Sequence, residues 1–191
     1  MLRFTLTALG GALKRCDFLR REDGTIAMET MIVLPLIFWA YLSTFSIFDA
    51  FRMYNLNQQA TYTIGDAISR ETVPINDDYL RGSQELFEFM TRGAGNTAIR
   101  VTSIWYDAAQ DRYYTDWSKS RGWVLGLNSE DVKSWHAKLP VMPDKERVVL
   151  VETWRTYDPP FNTGLEERDI HNFIFTRPRY APRVCWVDCN S

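Results

Sequence analysis

One short segment of the sequence combines a glycine, after which a peptidase could cut the chain, with a single acidic residue. Gly24 ends a charged stretch that begins at Arg20, and Glu29 follows five residues after the glycine, at the start of a long apolar run. Glycine has no side chain, so a peptidase can approach its carbonyl closely. Hydrolysis after Gly24 would give Thr25 a free α-amino group, four residues before Glu29 and on the same face of a helix. The chemistry that this spacing suggests is peptide cleavage followed by pairing of the new ammonium with the Glu29 carboxylate.

The Glu29 carboxylate needs such a partner if the apolar run lies in a bilayer. A charged side chain there costs about 2.5–3.5 kcal/mol at mid-depth and less near the interface. The N-terminal end of a helix also favours negative charge. The pairing ammonium could come from the same chain or from a neighbouring subunit. A simpler interpretation also stays open, in which Gly24 only separates two segments and Glu29 reaches up to the membrane surface.

Residues suited to catalysis or metal binding are otherwise sparse. His136 and His171 are the only histidines, and they lack the spacing of a helical metal-binding pair. The sequence contains no nucleophile elbow and no glycine-rich phosphate motif. Acidic pairs at positions 77–78 and 166–167 are typical of helix caps and solvated loops. We therefore expect no enzyme activity, no metal and no cofactor. A catalytic triad whose residues come together only in the folded chain cannot be recognised from the sequence.

The elements that would position Gly24 and Glu29 begin with an uncharged run from Met31 to Phe48. Its 18 residues would form a helix of about 27 Å, close to the hydrocarbon thickness of a bilayer. We expect a leader over residues 1–24, a transmembrane helix over 25–48 and an exported domain over 49–191. A cleaved secretory signal is disfavoured because its apolar region is shorter and a small-residue cleavage site follows it.

The orientation of this helix follows from the charges before it. The first 24 residues carry three acids and five basic residues, which are Arg3, Lys14, Arg15, Arg20 and Arg21. The positive-inside rule places this end in the cytoplasm and the C-terminal domain in the periplasm or outside the cell. The formal net charge of the whole chain is -2. This balance is not typical of a nucleic-acid-binding protein.

The segment Gly24-Thr-Ile-Ala-Met-Glu29, followed by Met-Ile-Val-Leu-Pro-Leu-Ile, resembles the type IV prepilin class. More closely, it is similar to the TadE/TadF family of pseudopilins from tight-adherence (Flp-type) pilus systems. The specific match covers about Arg20 to Arg52. The resemblance implies a bacterial inner-membrane protein that a prepilin peptidase cuts after Gly24. It also implies that its partners are pilins, other pseudopilins and inner-membrane pilus assembly proteins.

The resemblance further implies a minor role that supports assembly. Major Flp pilins are far shorter than this chain, and they usually carry tyrosine where Thr30 follows Glu29. Pro35 lies near the start of the apolar run, within a Val-Leu-Pro-Leu sequence similar to that of the family. It removes one backbone donor and should kink the helix near Met31. A kink without any role in assembly is an equally good interpretation, because membrane helices tolerate proline.

Two cysteines lie near the C-terminus, in the part predicted to be exported. Cys185 and Cys189 are four residues apart, and an oxidising compartment would allow them to pair. A loop this short would add about 2 kcal/mol of stability in the chain-entropy interpretation of disulfides. We favour this disulfide over two free thiols. A zinc site would need further ligands at a recognisable spacing, and the sequence has none.

The exported part is predicted to have an α+β fold, with the long helix packed on a small antiparallel sheet. The helix should continue to about Arg70, with an alternative break at Gly65. Its domain-facing stripe is predicted from apolar spacing as Phe48, Phe51, Tyr54, Gln58, Thr61 or Tyr62, and Ile68. A second helix is predicted over 78–91 and a shorter one over 129–138. The predicted strands are 97–106, 112–117, 147–157 and 171–177.

Two other classes of function stay open from the sequence. The first is a permanently anchored, single-pass extracytoplasmic binding or envelope protein, whose N-terminus would stay intact. The second is a membrane-tethered enzyme, in which His136 or His171 would share a cleft with a nucleophile. Aromatic residues such as Trp105, Tyr114 and Trp154 could form a carbohydrate or partner surface, but cross-strand pairing is the more ordinary role for them.

Overall fold

The structure of the chain, a computed structural model, describes residues 23–93 and 95–187, with side chains from Ala27 onward. The chain divides into two compact units between Phe45 and Ser46. One helix, α1 (Asp23–Ser69), contributes its first part to one unit and its last part to the other. The two units are described separately below.

The first unit consists of the apolar part of α1. The helix continues without interruption through Pro35. Its large side chains lie in the open, with exposed fractions of 77% for Met31 and 67% for Leu36. Among residues 23–93 and 95–187, α1 is the one helix long and apolar enough to cross a membrane.

The second unit is a four-stranded antiparallel sheet with helices packed on it. The strands are β1 (Thr97–Asp107), β2 (Arg112–Arg121), β3 (Arg147–Tyr157) and β4 (Arg168–Thr176). Their order in the sheet is β2-β1-β3-β4, so β1 and β3 form the centre and β2 and β4 the edges. The predicted α+β class, with a long apolar helix and a small antiparallel sheet, is confirmed.

One face of the sheet carries the larger hydrophobic core. The last part of α1 and helix α2 (Asp77–Thr91) pack against it. Ile64 and Phe87 from these helices are fully buried together with Val101 and Val151, which are neighbours across β1 and β3. Because strand side chains alternate between faces, only every second residue of β1 and β3 reaches this core.

The opposite face carries a second, smaller cluster. Helix α3 (Ser129–Val132) and a 3-10 turn at Trp135–Ala137 lie near this cluster. Val132 and Leu139 are buried there with Ile104, Val148 and Leu150 of the central strands. The central strands β1 and β3 have a hydrophobic core on each face. Side chains on both faces of β3 are therefore buried, which explains the almost uninterrupted apolar run that predicted this strand.

Helix α2 has a defined signal at each end. The Asn76 side chain accepts a hydrogen bond of 2.9 Å from the Tyr79 backbone N–H, which is the usual role of an N-cap asparagine. Arg92 ends the helix in the left-handed region, with φ 54°. The sequence predicted this helix to begin at Asp78, one residue later than Asp77, where it begins.

Several predicted boundaries were wrong by a few residues. Strand β2 continues to Arg121 rather than ending at Trp117, and β4 begins at Arg168 rather than at His171. The helix predicted over 129–138 is a single turn, α3, followed by a separate 3-10 turn. Helix α1 continues through Gly65, so the alternative break there does not occur.

The predicted domain-facing stripe of α1 was largely wrong. Phe48, Phe51 and Tyr54 are 70%, 65% and 49% exposed. Thr61 and Ile68 of the predicted stripe are buried, and the other buried positions of the helix are mostly small or polar, namely Ser46, Asn57, Ala60, Ile64, Gly65 and Ser69. Small residues let the helix approach the sheet closely, and the Thr61 hydroxyl bonds the Thr153 hydroxyl of β3 at 2.6 Å. The aromatic rings would not fit between two such close surfaces.

Candidate functional site

The predicted cleavage position lies in the first turn of α1. This helix begins at Asp23, so Gly24 and Thr25 both have helical backbone. The first N–H groups of a helix have no acceptor within it, which makes a terminal turn the easiest part of a helix to open. A peptidase that needs an extended substrate can therefore reach the bond between Gly24 and Thr25 without unwinding the rest of the helix.

Glu29 lies one turn after Thr25 in the same uninterrupted helix. Its side chain is exposed, and it borders a shallow concavity with Thr30, Val33, Leu34 and Ile37 on one helix face. Among the side chains described from Ala27 onward, no hydrogen bond or ion pair involves the Glu29 carboxylate. The predicted spacing of four residues between Thr25 and Glu29 therefore holds in a continuous helix, and the acid is accessible to a cation.

The surroundings of Glu29 are strongly apolar. Met28, Met31 and Ile32 are 68%, 77% and 72% exposed. In water the Glu29 carboxylate would be solvated and would need no partner. In a membrane, pairing with a cation would lower the cost of its charge. The arrangement suits recognition of an ammonium, and it contains no acid–base pair for catalysis.

Pro35 lies six residues after Glu29, inside the same helix. Its ring has no N–H, so the carbonyl of Met31 lacks its normal helical donor. The helix nevertheless continues on both sides of the proline. The kink expected near Met31 and a role of Pro35 in assembly both stay predictions.

Of the two cysteines in the predicted disulfide, the structure describes Cys185. Cys189 lies outside the described residues, so the pairing stays a prediction. Cys185 is partly buried in a tail segment that the domain holds firmly, because Ile75 donates its backbone N–H to the Cys185 carbonyl at 2.8 Å. Val184 and Trp186 on either side of it are buried in the larger core.

The two histidines belong to different clusters. His136 lies near the β1–β2 turn, where its Nδ1 is 3.9 Å from Asp111 Oδ1. His171 lies on β4, where its Nε2 is 3.3 Å from Glu152 Oε1. Within residues 23–93 and 95–187, no group of three or more His, Cys, Asp or Glu side chains could hold a metal ion.

A buried charge cluster on the sheet was not predicted. Glu152, in the middle of β3, has a side chain only 4% exposed. Arg100 of β1 donates from Nε and from Nη2 to Glu152 Oε2, each at 2.7 Å. Trp154 stacks on His171 with ring centroids 4.6 Å apart, and the Arg100 guanidinium lies 4.9 Å from the Trp154 ring. The four side chains connect β1, β3 and β4 across one face of the sheet.

This charge cluster has a structural role that follows from its burial. A buried carboxylate must be paired, and Glu152 is satisfied by a cation on one side and an imidazole on the other. The sequence did carry a signal for it, because Glu152 is a lone acid directly after the apolar residues from Val148 to Val151. Its partners could not be predicted, since they come from strands far away in the sequence.

The aromatic residues proposed for a ligand surface mostly pair with one another. Trp105 and Tyr114 are register partners across β1 and β2 and stack at 4.7 Å. Cations lie over both rings, with Lys145 4.5 Å from Trp105 and Arg112 4.5 Å from Tyr114. Cross-strand pairing, the more ordinary of the two interpretations, is confirmed for this pair.

A hydrogen bond ties the last part of α1 to the end of β3. The Tyr157 hydroxyl donates to Asp49 Oδ2 at 3.1 Å. Burial, followed by this bond to a carboxylate, raises the pKa of Tyr157 to about 12. A polar pocket of about 480 Å³ adjoins it, lined by residues that include Arg155 and Glu167. Burial also lowers the pKa of Arg155.

Comparisons of the chain with protein-family models, with curated proteins and with solved structures find no significant match. The described residues offer two features that bear on function. One is an accessible carboxylate, Glu29, one turn after the predicted cleavage position. The other is the pairing of Glu152, a buried acid of the domain, with Arg100 and His171.

Proposed function

We propose that the chain is a minor, TadE/TadF-like pseudopilin that supports assembly of a tight-adherence (Flp-type) pilus or its secretion machine. The observation that carries the proposal is the junction from Gly24 to Glu29. It combines a glycine in a terminal helical turn, an accessible acid one turn further, and a continuation of the same helix with exposed apolar side chains. Each of these three features has a use in a membrane protein that is trimmed and then packed against other subunits.

The membrane position in this proposal follows from length and charge. Residues 25–48 span the bacterial inner membrane once, with the leader 1–24 in the cytoplasm and the domain from residue 49 in the periplasm or outside the cell. The exposed apolar side chains of α1 support this position, because lipid would remove them from water. The excess of basic residues before Gly24 supports the orientation.

In the proposed mechanism the chain is a substrate and not a catalyst. A prepilin peptidase hydrolyses the peptide bond after Gly24, which leaves a carboxylate on the leader and an α-ammonium on Thr25. That ammonium pairs with Glu29 of the same chain or of an adjacent subunit as helices pack. The pairing neutralises both charges in the membrane, so only trimmed chains would assemble at low cost.

The first experiment tests cleavage. The full chain with a C-terminal tag is expressed with and without an active prepilin peptidase, and its size is read by immunoblot. We expect loss of the leader only with the active peptidase, and no loss in the Gly24→Leu variant. Gly82→Leu is the matched control, since Gly82 is an exposed helical glycine with open space around it. A full-length band in cells with active peptidase would overturn the proposal.

The second experiment separates cleavage from assembly. Glu29→Ala should still be trimmed but should fail to co-purify with the other pilus components, because the Thr25 ammonium loses its partner. Glu85→Ala, which removes an exposed acid from α2, should co-purify normally. Normal co-purification of the Glu29 variant would contradict the assigned role of this acid.

A second candidate function is a permanently anchored extracytoplasmic binding protein. The polar pocket beside Tyr157, with a volume of about 480 Å³, is within the size range of small-molecule sites, which is roughly 300–1,000 Å³. This function predicts an untrimmed N-terminus and a Glu29→Ala variant with unchanged behaviour. The two experiments above therefore distinguish it from the pseudopilin.

A further inference from the structure

An apolar groove runs along the outer side of the domain, between α1 and β4. It has a volume of about 320 Å³, similar to the lower end of the range for ligand pockets, roughly 300 Å³. We call it the α1/β4 groove. Its lining consists of Ile47, Ala50, Phe51, Tyr54, Tyr157, Leu165, Arg168 and Ile170.

The charge in this groove is concentrated in one side chain. Arg168, the first residue of β4, is exposed and is the only charged residue among those that line the groove. No ion pair or hydrogen bond of its guanidinium is found within residues 27–93 and 95–187. The other lining residues are aliphatic or aromatic, and Tyr157 already donates its hydroxyl to Asp49. The groove therefore offers an apolar channel with one available cation.

The position of the groove along the chain connects it to the membrane. Ile47 belongs to the uncharged run, which ends at Phe48. Phe51 and Tyr54 follow by about 4.5 and 9 Å along the helix axis. The headgroup layer on each side of a bilayer is roughly 5–8 Å deep. If residues 25–48 span the membrane as proposed, this part of α1 crosses the headgroup layer, where aromatic residues are enriched, with Phe51 inside the layer and Tyr54 at its outer edge.

We propose that the α1/β4 groove binds a membrane phospholipid. One acyl chain lies against Ile47, Ala50 and Leu165, and the lipid phosphate pairs with Arg168. The inference rests on the proposed function only for the membrane span. The adjoining polar pocket is lined by the acids Asp158 and Glu167 and by the cations Arg92 and Arg155. Because charges of both signs border the groove, the lipid that fits best is zwitterionic, with its ammonium directed towards the two acids.

A second polypeptide is a poorer occupant of this groove. A helix with its side chains is about 10–12 Å across with a pitch of 5.4 Å, so that one turn occupies roughly 420–610 Å³, more than the volume of about 320 Å³ in the groove. An apolar helix would also leave Arg168 without an anion. A single acyl chain is narrow and ends in a phosphate, so it meets both requirements.

The test uses the full chain in nanodiscs that contain a phosphatidylethanolamine with a photoreactive acyl chain. After irradiation, labelled peptides are identified by mass spectrometry. We expect labelling in segments 47–54 and 157–170, in addition to labelling in the apolar run 31–45. Ala50→Trp, which fills the groove, should lower labelling of 157–170 by about tenfold, equivalent to about 1.4 kcal/mol. Leu165→Trp fills it from the opposite wall and should act similarly.

Two further variants complete the test. Arg168→Gln should lower labelling of the groove by roughly fivefold, as expected for a partly exposed charge pair. Ala108→Trp is the control, because Ala108 is an exposed residue of the β1–β2 turn, and it should change nothing. The thermal unfolding midpoint of each variant is measured in the same nanodiscs, so that a loss of labelling is compared only between folded chains.

The result that would overturn the inference is labelling of 31–45 without labelling of 47–54 and 157–170. Groove labelling that is unchanged in both tryptophan variants would also overturn it. Absence of labelling in 31–45 as well would show that the membrane span itself is wrong, and with it the proposed function. The two failures are therefore distinguishable in one experiment.

Discussion

Two stretches of the same helix have opposite relations to solvent. In the apolar first part of α1, Met31 and Leu36 are 77% and 67% exposed. In the last part, Ile64 and Ile68 are 1% and 0% exposed against the sheet. These four side chains are all large and apolar, so their type does not explain the difference. The sheet covers the second stretch, whereas residues 23–93 and 95–187 leave the first uncovered, as we expect for a helix that a bilayer or other chains would cover.

The acids of the two regions differ in the same way. Glu152 in the sheet is buried with Arg100 and His171 as partners. Glu29 in the apolar part of α1 has no partner among the side chains described from Ala27 onward. The domain thus covers its own apolar side chains and pairs its buried acid, while the first part of α1 leaves Glu29 and its apolar side chains uncovered by residues 23–93 and 95–187.

The largest expected effect tests the completeness of the domain core. Phe87 is fully buried between α2 and the sheet, so Phe87→Ala should lower the free energy of unfolding by about 3–5 kcal/mol. Leu36→Ala, in the exposed part of α1, should change it by less than about 0.5 kcal/mol. Chemical denaturation of the full chain in detergent, followed by tryptophan fluorescence, measures both. Similar losses in the two variants would contradict the division into a self-contained core and an externally covered helix.

The next effect concerns the buried charge cluster. Glu152→Gln removes the charge that pairs with Arg100, and it should cost about 3 kcal/mol, at the lower end for a broken buried ion pair. The double variant Arg100→Met with Glu152→Met removes both charges and should recover most of that loss. Denaturant midpoints of the two variants give the comparison. A double variant less stable than Glu152→Gln would mean that the pair itself contributes more than its desolvation costs.

A smaller effect comes from the hydrogen bond between α1 and β3. Tyr157→Phe removes the bond to Asp49 and should cost about 1–1.5 kcal/mol. Because the folded pKa of Tyr157 is raised to about 12, the protonated phenol is favoured in the folded state. Its contribution is complete below the unfolded pKa of about 10 and is lost as pH rises towards 12.

The pH dependence gives this prediction its own control. Between about pH 10 and 12 the parent chain should lose more stability than Tyr157→Phe, and the difference isolates Tyr157 from other tyrosines. Tyr106, whose pKa its hydrogen bond to Asp111 raises to about 12, contributes equally to both curves. Parallel curves for the two chains would show that Tyr157 is not protonated preferentially in the folded domain.

The smallest effect concerns the start of α2. Asn76→Ala removes the acceptor for the Tyr79 N–H and should cost about 1 kcal/mol. Asn76→Asp keeps an acceptor at the same place and should cost much less. Thermal unfolding of the two variants beside the parent chain measures the difference, and equal losses would mean that the cap contributes little.

Local signals predicted much of the domain. Strand β3 was predicted with both of its ends, and α2 within one residue, because a short run of mostly β-branched apolar residues and an N-cap asparagine are local signals. The domain-facing side of α1 was predicted correctly at Thr61 and Ile68 but wrongly before them. Phe51 and Tyr54 were taken as core residues for their hydrophobicity, whereas close packing on the sheet selected Ala60 and Ile64.

Contacts between residues that are distant in the sequence were not predicted. Glu152, Arg100 and His171 come from three strands, and only the register of the sheet brings them together. The α1/β4 groove likewise needs the fold of residues 157–170 beside α1. The junction from Gly24 to Glu29 was predicted from the sequence because its parts are neighbours on one helix.

The most direct test of the account is the N-terminal residue of the protein isolated from membranes of cells with an active prepilin peptidase. Intact-mass spectrometry and N-terminal sequencing identify it without any variant. The account predicts a chain that begins at Thr25, shorter by the 24 residues of the leader. A mature chain that begins at Met1 would contradict it, because the ammonium assigned to Glu29 would then not exist.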